Sequence, residues 1–443
     1  MARLSFLLVA LPLALGPLRA GTAAAAPYGF VKGPYIQSLS ARSVVVRWEG
    51  SEPATGSVTV MGAGVIAKLR AGQSEEPALF HSIQVDDLTP GSTYRYAAAA
   101  NDAKSGDGTF TTPKDEDGTF VFQVYGDNRN DHVAHAAVVG AMRARPASFA
   151  VHTGDMVAAG NNPADWATFF RVEGSMLRDR CVFACVGNHE LVGGPAAFMR
   201  YFHPDRLEPG TLAYSARWGN ARFFLLNAFS TLRQGKERAW LEGALLAADT
   251  EEGIVHRFLV LHQGPASSGP HGPGAHFDEG LSSLLRRHHI TMIFAGHDHL
   301  YERGERDGLR YIVSGGAGAP LYPVKAEKSP PTQAAESAHH FVEVQIEGAK
   351  VVTRALRKDG SLMDRCVIEG AAFTCDPTSI AVHRDPITGA VAPPPKKRSC
   401  DCALPGAPPS DFPAVVALFP VLAVFARQRL ASGTRALLPS GAC

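Results

Sequence analysis

Five short turns in the middle of the chain carry the residues best suited to chemistry. They are Gly126-Asp127-Asn128-Arg129, Gly154-Asp155-Met156-Val157, Gly187-Asn188-His189-Glu190, Leu261-His262-Gln263-Gly264 and Gly296-His297-Asp298-His299. Each follows an apolar run and offers carboxylate, amide oxygen or imidazole, the donors that hard and borderline divalent cations take. Singly, each has an ordinary explanation. An aspartate after a strand is most often a helix cap or turn residue, and a lone histidine such as His262 is most often a hydrogen-bonded core residue. The ordered set weighs differently, because the carboxyl ends of strands in an open α/β sheet point into a common crevice. Turns distant in sequence can therefore meet there, and the leading glycine of four of the five permits tight turns and close backbone approach.

The surrounding pattern supplies such strands. "TFVFQVY", "SFAVH", "CVFACV", "HRFLVL" and "ITMIFA" are continuous apolar runs, and helical periodicity fills the gaps between them: through "DHVAHAAVVGAMRARP" with Pro146 just beyond the end, from about Pro163 to Asp179, through "GKERAWLEGALLAA" and through "DEGLSSLLRRHH". This alternation predicts a layered β-sheet core flanked by helices, an α/β domain spanning residues 119–357. "LRYIVSGGAG", "HFVEVQIEG" and "KVVTRALR" read as added strands. Residues 27–113 differ. They read as short strands in which Val44, Val46 and Trp48 share one face and Tyr94 and Tyr96 share another, a β-sandwich layout.

The ends carry other signals. Arg3, the apolar stretch Leu4–Leu15 and the small residues Ala23–Ala26 read as a secretory leader over residues 1–26, so an exported protein is expected. A C-terminal extension over 358–380 leads into a proline-rich linker over 381–411. The apolar segment and tail over 412–443 leave two readings open, a sorting tag that attaches the chain to a membrane or cell surface, or a disordered tail. A net charge of +1 and only 19% charged residues argue against nucleic acid as a partner and against a largely disordered chain. Of seven cysteines, Cys366 and Cys375 flank a turn-rich stretch that lets them pair. Cys181 and Cys185 share one strand, too far apart to bond each other, and read as buried apolar residues.

The five turns in this order resemble the calcineurin-like metallophosphoesterase superfamily. "GNHE" and "GHDHLYER", with the preceding sandwich, are most similar to purple acid phosphatases, whose sandwich is of fibronectin type III type. The resemblance implies a two-metal centre for phosphate monoester hydrolysis, with Mn, Zn or Fe as the divalent ions. Asp155 corresponds to the bridging carboxylate, Asp127 and His299 to ligands of one ion, and Asn188, His262 and His297 to ligands of the other. His189 corresponds to the residue that contacts the phosphoryl group and assists the leaving group, and His271 to a histidine near the substrate. Two ions about 3.5–4 Å apart acidify a water that attacks phosphorus and neutralise the phosphoryl oxygens.

Two positions depart from the pattern. Ala158 stands where purple acid phosphatases place their colour-giving tyrosine, and Arg129 stands where most other members place a ligand histidine. A colourless protein with a weak first ion site is therefore expected, the gap to be filled by water, His132 or His135. Arg129 has two readings, phosphate binding or a salt bridge to a neighbouring carboxylate. His152 reads as a core or supporting residue, whereas His276, His288 and His289 read as solvated surface residues. Phosphodiester hydrolysis on the same site, and a non-catalytic binding protein on a decayed scaffold, stay open as alternatives.

Overall fold

The computed structural model describes residues 28–376, apart from 63–68, 74–75, 116–117, 203, 205–210, 231 and 326–330. The expected leader, proline-rich linker and apolar tail lie outside the described residues.

The α/β region is built on two seven-stranded sheets. The first runs in the order Val182–Ala184, Phe149–His152, Thr119–Tyr125, His340–Glu347, Lys350–Arg357, Leu362–Glu369 and Ala372–Cys375. Its first three strands are parallel and the others join antiparallel. The second runs Tyr214–Trp218, Ala221–Leu225, His256–Val260, Met292–Ala295, Leu309–Ser314, Tyr301–Arg306 and Thr332–Glu336, with four consecutive parallel strands at its centre.

Side-chain alternation explains why the strands are apolar throughout. Phe122, Phe149, Phe258 and Phe294 point into one cluster between the sheets, while Ala150, Leu259 and Ile293 point outward under helices. Phe122 is the keystone of the inner layer, with ring centroids 5.1 Å from Phe223, 5.4 Å from Phe258 and 5.9 Å from Phe294, all edge to face. Helices His132–Arg143 and Pro163–Leu177 cover the first sheet, and Lys236–Thr250 and Glu279–Arg287 cover the second. Their starts are set locally. Asp131 accepts from the Val133 and Ala134 amides, Asn162 accepts from Ala164 ahead of Pro163, and Asp278 accepts from Leu281.

The N-terminal region is strand-rich, as expected. One sheet holds Phe30–Gln37, Val44–Ala54 and Ala78–Val85; the other centres on Gly56–Gly62 and Thr93–Ala100. Ile36, Val46 and Trp48 of the first share a buried cluster with Val58, Tyr94 and Tyr96 of the second. The Tyr94 hydroxyl accepts the Thr89 amide at 2.8 Å and so ties down the turn before its own strand. Tyr96 donates to the Arg178 carbonyl, and Tyr201 donates to Glu49, joining this region to the α/β core.

Three readings need adjustment. The first sheet continues beyond residue 357 to Cys375, because Leu362–Glu369 pairs with Lys350–Arg357 and the Cys366–Cys375 disulfide closes the last hairpin. The strand expected over "CVFACV" is only Val182–Ala184, although Cys181 and Cys185 are buried and free as expected. His288 is buried rather than solvated, its Nδ1 lying 2.7 Å from Asp249 Oδ2. Among the described residues, no helix is long and apolar enough to cross a membrane.

Truncating the keystone tests the two-sheet core. Phe122→Ala should cost about 3–5 kcal/mol, read as a lowered urea midpoint. A loss under about 1 kcal/mol would show that the inner aromatic layer does not carry the packing assigned to it.

Candidate metal centre

Each of the five turns sits just past a parallel strand, three in the first sheet and two in the second. The two sheets face each other, so their strand ends deliver side chains into one space from two sides. Asp127, Asp155 and His262 each place one ligand atom there, all within 4.8 Å of one another and all buried. His262 Nε2 lies 3.4 Å from Asp155 Oδ1 and 3.8 Å from Asp127 Oδ1. His299 Nε2 lies 3.6 Å from Asp127 Oδ1, and His297 Nδ1 lies 3.2 Å from His262 Nε2.

Backbone geometry makes this approach feasible and strained. Asp127, Asp155 and His297 hold φ values of 57°, 60° and 71°, a region that non-glycine residues seldom occupy and that collects at functional sites. Two glycines are required by space. A Cβ on Gly187 would fall 2.2 Å from Asp155 Oδ1, and one on Gly296 would fall 2.3 Å from Asp127 Oδ2. The Asn188 backbone is thereby held against Asp155, since the next amide, that of His189, donates to Asp155 Oδ1 at 3.0 Å.

The imidazoles are oriented by carbonyls. His262 Nδ1 donates to Thr153 O at 2.7 Å, and His299 Nδ1 donates to Pro320 O at 2.7 Å. In the neutral ring each Nε2 then turns a lone pair toward the carboxylates, the arrangement common to metal-ligating histidines. Burial, reinforced by neighbouring His262, pushes His297 down to about 3. Burial with Arg129 nearby pushes His299 down to about 4, so both rings are neutral and able to ligate. His262 behaves oppositely: burial would lower it, but Asp155 and Asp127 outweigh that and raise it to about 10. Burial raises Asp127 well above the usual carboxylate range.

Unsatisfied atoms test whether a cation fits. Asp127 Oδ1 and Asn188 Oδ1 are buried and have no hydrogen-bond partner. Buried polar oxygens without partners are rare and call for an explanation. Beside two carboxylates and neutral imidazoles, a divalent cation satisfies both. The donor set therefore fits a metal.

The expected substrate-side residues also gather here. Arg129 Nε lies 3.3 Å from Asp155 Oδ2 and its Nη2 lies 3.3 Å from His299 Nε2. His189 Nδ1 donates to the Ala158 carbonyl at 2.5 Å, leaving Nε2 on the Asp155 side, 3.7 Å from Oδ2. The His271 ring sits 4.1 Å from that of His297, and its Nδ1 is 2.8 Å from Asp298 Oδ1. His135, one candidate for filling the gap, instead contacts Asn128 and Glu173. His276 is buried, not solvated, and burial lowers it to about 4.

Several contributors had no role in the sequence reading. Glu190 is fully buried and accepts the amides of Asp155, Met156, Val157 and Gly187 at 2.8–3.2 Å. Its position in "GNHE" was visible, but the need of a strained turn for an acceptor was not. Asn128, between Asp127 and Arg129, joins a buried set with His135, His152 and Glu173. Asp298 accepts from the His271 and Gly272 amides and fixes the loop carrying His271. Tyr322 stacks on His299, centroids 4.1 Å apart, and Phe229 lies 5.8 Å from His262 at the mouth.

Residues 127–301 match the family described as Calcineurin-like phosphoesterase, so the chain carries a calcineurin-like phosphoesterase domain there. Among characterised relatives, purple acid phosphatase 21 of Arabidopsis thaliana is 24% identical over 257 residues, covering 53% of this chain and 57% of the relative. Phosphoenolpyruvate phosphatase of Allium cepa is 25% identical over 275 residues, covering 56% and 55%. The chain spans about half the length of the curated relatives it matches. The solved structure of purple acid phosphatase PPD1 from yellow lupin superposes with a TM-score of 0.69 at 15% identity, over 76% of this chain and 74% of that one. That of PhoD gives 0.62 at 11%, over 79% and 92%. At these identities the structural likeness is one of fold.

Glu190→Gln keeps volume but replaces a four-bond carboxylate by an amide with one acceptor. Metal affinity, measured by chelator competition, should fall about 10–100-fold, the usual cost of losing a supporting partner. Unchanged affinity would mean that the turn holds its shape without Glu190.

Proposed function

We propose that this chain is a metal-dependent phosphatase, hydrolysing phosphate monoesters at a centre formed by Asp127, Asp155, Asn188, His262, His297 and His299. The observation that carries the reading is the convergence of five strand-end turns on two buried, partnerless oxygens, Asp127 Oδ1 and Asn188 Oδ1. Divalent ions (Mn, Zn or Fe) bound there supply an acidified water as nucleophile and positive charge for the phosphoryl oxygens.

The chain's own groups do the rest. Arg129 presents guanidinium N–H groups at the edge of the cluster, where they can take a phosphoryl oxygen through charge-assisted bonds. His189 is fixed through Nδ1 on the Ala158 carbonyl, and its side chain is 25% exposed. Its Nε2 is thus free to face substrate, and when protonated it donates to the departing ester oxygen, which is otherwise a poor leaving group. His271, braced by Asp298, lines the approach with Tyr322 and Phe229. Ala158 offers only a methyl where a phenolate would give colour.

Two further elements belong to this proposal. An exported protein agrees with the leader-like N-terminus and with the Cys366–Cys375 disulfide, a bond that persists in oxidising compartments. A fibronectin type III-like identity for the N-terminal sandwich agrees with the tyrosine-anchored turn at Thr89–Tyr94.

The chelator-stripped chain should not hydrolyse p-nitrophenyl phosphate, and Mn²⁺ or Zn²⁺ should restore turnover. Asp155→Asn should abolish it. His189→Ala should lower kcat by about 10²–10⁴-fold with metal content unchanged. Full activity in the Asp155→Asn protein would sink the reading, and faster turnover of bis-p-nitrophenyl phosphate would make the enzyme a diesterase.

A further inference from the structure

The resemblance implies two ions, but the donor atoms are not shared evenly between two sites. On one side stand Asp155 Oδ1, His262 Nε2 and His297 Nδ1. Asp127 Oδ1 lies between the sides, 3.8 Å from His262 Nε2 and 3.6 Å from His299 Nε2, and with Asp155 and His262 it completes the compact three-residue ligand cluster. On the other side stand Asp155 Oδ2 and His299 Nε2, and both already face a cation. Arg129 Nε lies 3.3 Å from Asp155 Oδ2, and Arg129 Nη2 lies 3.3 Å from His299 Nε2. Because His299 Nδ1 donates to Pro320 O, its Nε2 has only a lone pair to offer, and a guanidinium N–H meets it as a donor.

We propose that Arg129 is the second cation of this centre. Its guanidinium takes up Asp155 Oδ2 and His299 Nε2, so the chain binds one divalent ion tightly, on the His262 side. Three observations support the substitution independently. The Arg129 side chain is only 13% exposed, so its charge is directed into the site rather than into solvent. Its backbone is pinned, since Asn128 next to it is tied into the buried set with Glu173, His135 and His152. Tyr322 stacks on His299 at an interplanar angle of 12° and hydrogen-bonds the Arg129 side chain, holding the guanidinium beside that ring.

Electrostatics agrees. Two buried carboxylates balance one divalent ion, or share it with one guanidinium, far better than they balance two divalent ions beside a fixed arginine. Arginine cannot relieve the crowding by losing its proton. The consequence for chemistry, which rests on the phosphoesterase reading, is a division of labour. One ion serves the attacking water, and the planar guanidinium fork binds a phosphoryl oxygen in the place where a second ion would otherwise do so.

The test counts ions rather than turnover. The full chain is stripped with chelator, reloaded with Mn²⁺ and desalted. Metal per chain is then measured by mass spectrometry, and the Mn²⁺ environment by electron paramagnetic resonance. Wild type should retain about one ion per chain with the six-line spectrum of an isolated Mn²⁺. Arg129→His, which replaces the cation by a ligand, should retain about two, with the spectrum broadened by coupling between them. Arg129→Lys keeps a positive charge, should stay near one ion, and controls for loss of folding. Two tightly held ions in wild type, or one in Arg129→His, would overturn the proposal. Hydrolysis of p-nitrophenyl phosphate is scored separately. One ion without hydrolysis would sink the phosphatase reading alone, and two ions with hydrolysis would sink only the role given to Arg129.

Discussion

Two carboxylates removed from water at the meeting point of two sheets govern this structure. Asp127 and Asp155 are essentially inaccessible, and their ligand oxygens lie within 4.8 Å of His262 Nε2. Burying like charges at such range is prohibitive unless positive charge accompanies them, and breaking one partner from a buried pair typically costs about 3–5 kcal/mol. The cluster meets that cost in pieces: His262 between the two carboxylates, Arg129 against Asp155, and His189 nearby. One oxygen of Asp127 is still left with no partner. A site that gathers this much uncompensated negative potential in a dry crevice is built for a cation, and much of the surrounding architecture can be understood as the means of holding it open.

That support is layered. The paired sheets give stiffness, through an aromatic interior in which Phe122 touches three rings of the opposite sheet. The turns give reach, with Asp127, Asp155 and His297 in left-handed conformations that only a well-determined surrounding can sustain. Buried acceptors then hold the turns. Glu190 collects four amides from two of them, and burial together with Asp155 raises it to about 7. Asn128, His152, His135 and Glu173 fix the first turn from behind. Asp298 does the same for the loop carrying His271. None of these groups needs to touch a phosphate ester to matter; each sets where a contacting group stands.

How far the sequence could reveal this depended on range. Strands buried on both faces leave continuous apolar runs, so "TFVFQVY" and "ITMIFA" announced themselves, and helices between them were legible from their period. The candidate ligands could be grouped because strand ends in such folds converge, which turns a list of turns into one candidate site. Pairing was not legible. That His340–Glu347 inserts beside Thr119–Tyr125, and that the first sheet runs on to Cys375, are facts of register between distant segments. The supporting carboxylates were missed for the same reason. Glu190 is ordinary as a residue type and becomes essential only once four amides are seen to point at it. His276 and His288 went wrong because polar residues near glycines or arginines look solvated, whereas burial is settled by what packs over them.

The most direct test of the central claim is anomalous diffraction from crystals of the Mn²⁺- or Zn²⁺-loaded chain, recorded on both sides of the metal absorption edge. The account predicts that the strongest peak falls among Asp127 Oδ1, Asp155 Oδ1 and His262 Nε2. A strongest peak elsewhere in the molecule, or no peak there with the two carboxylates bonded only to protein donors, would contradict it.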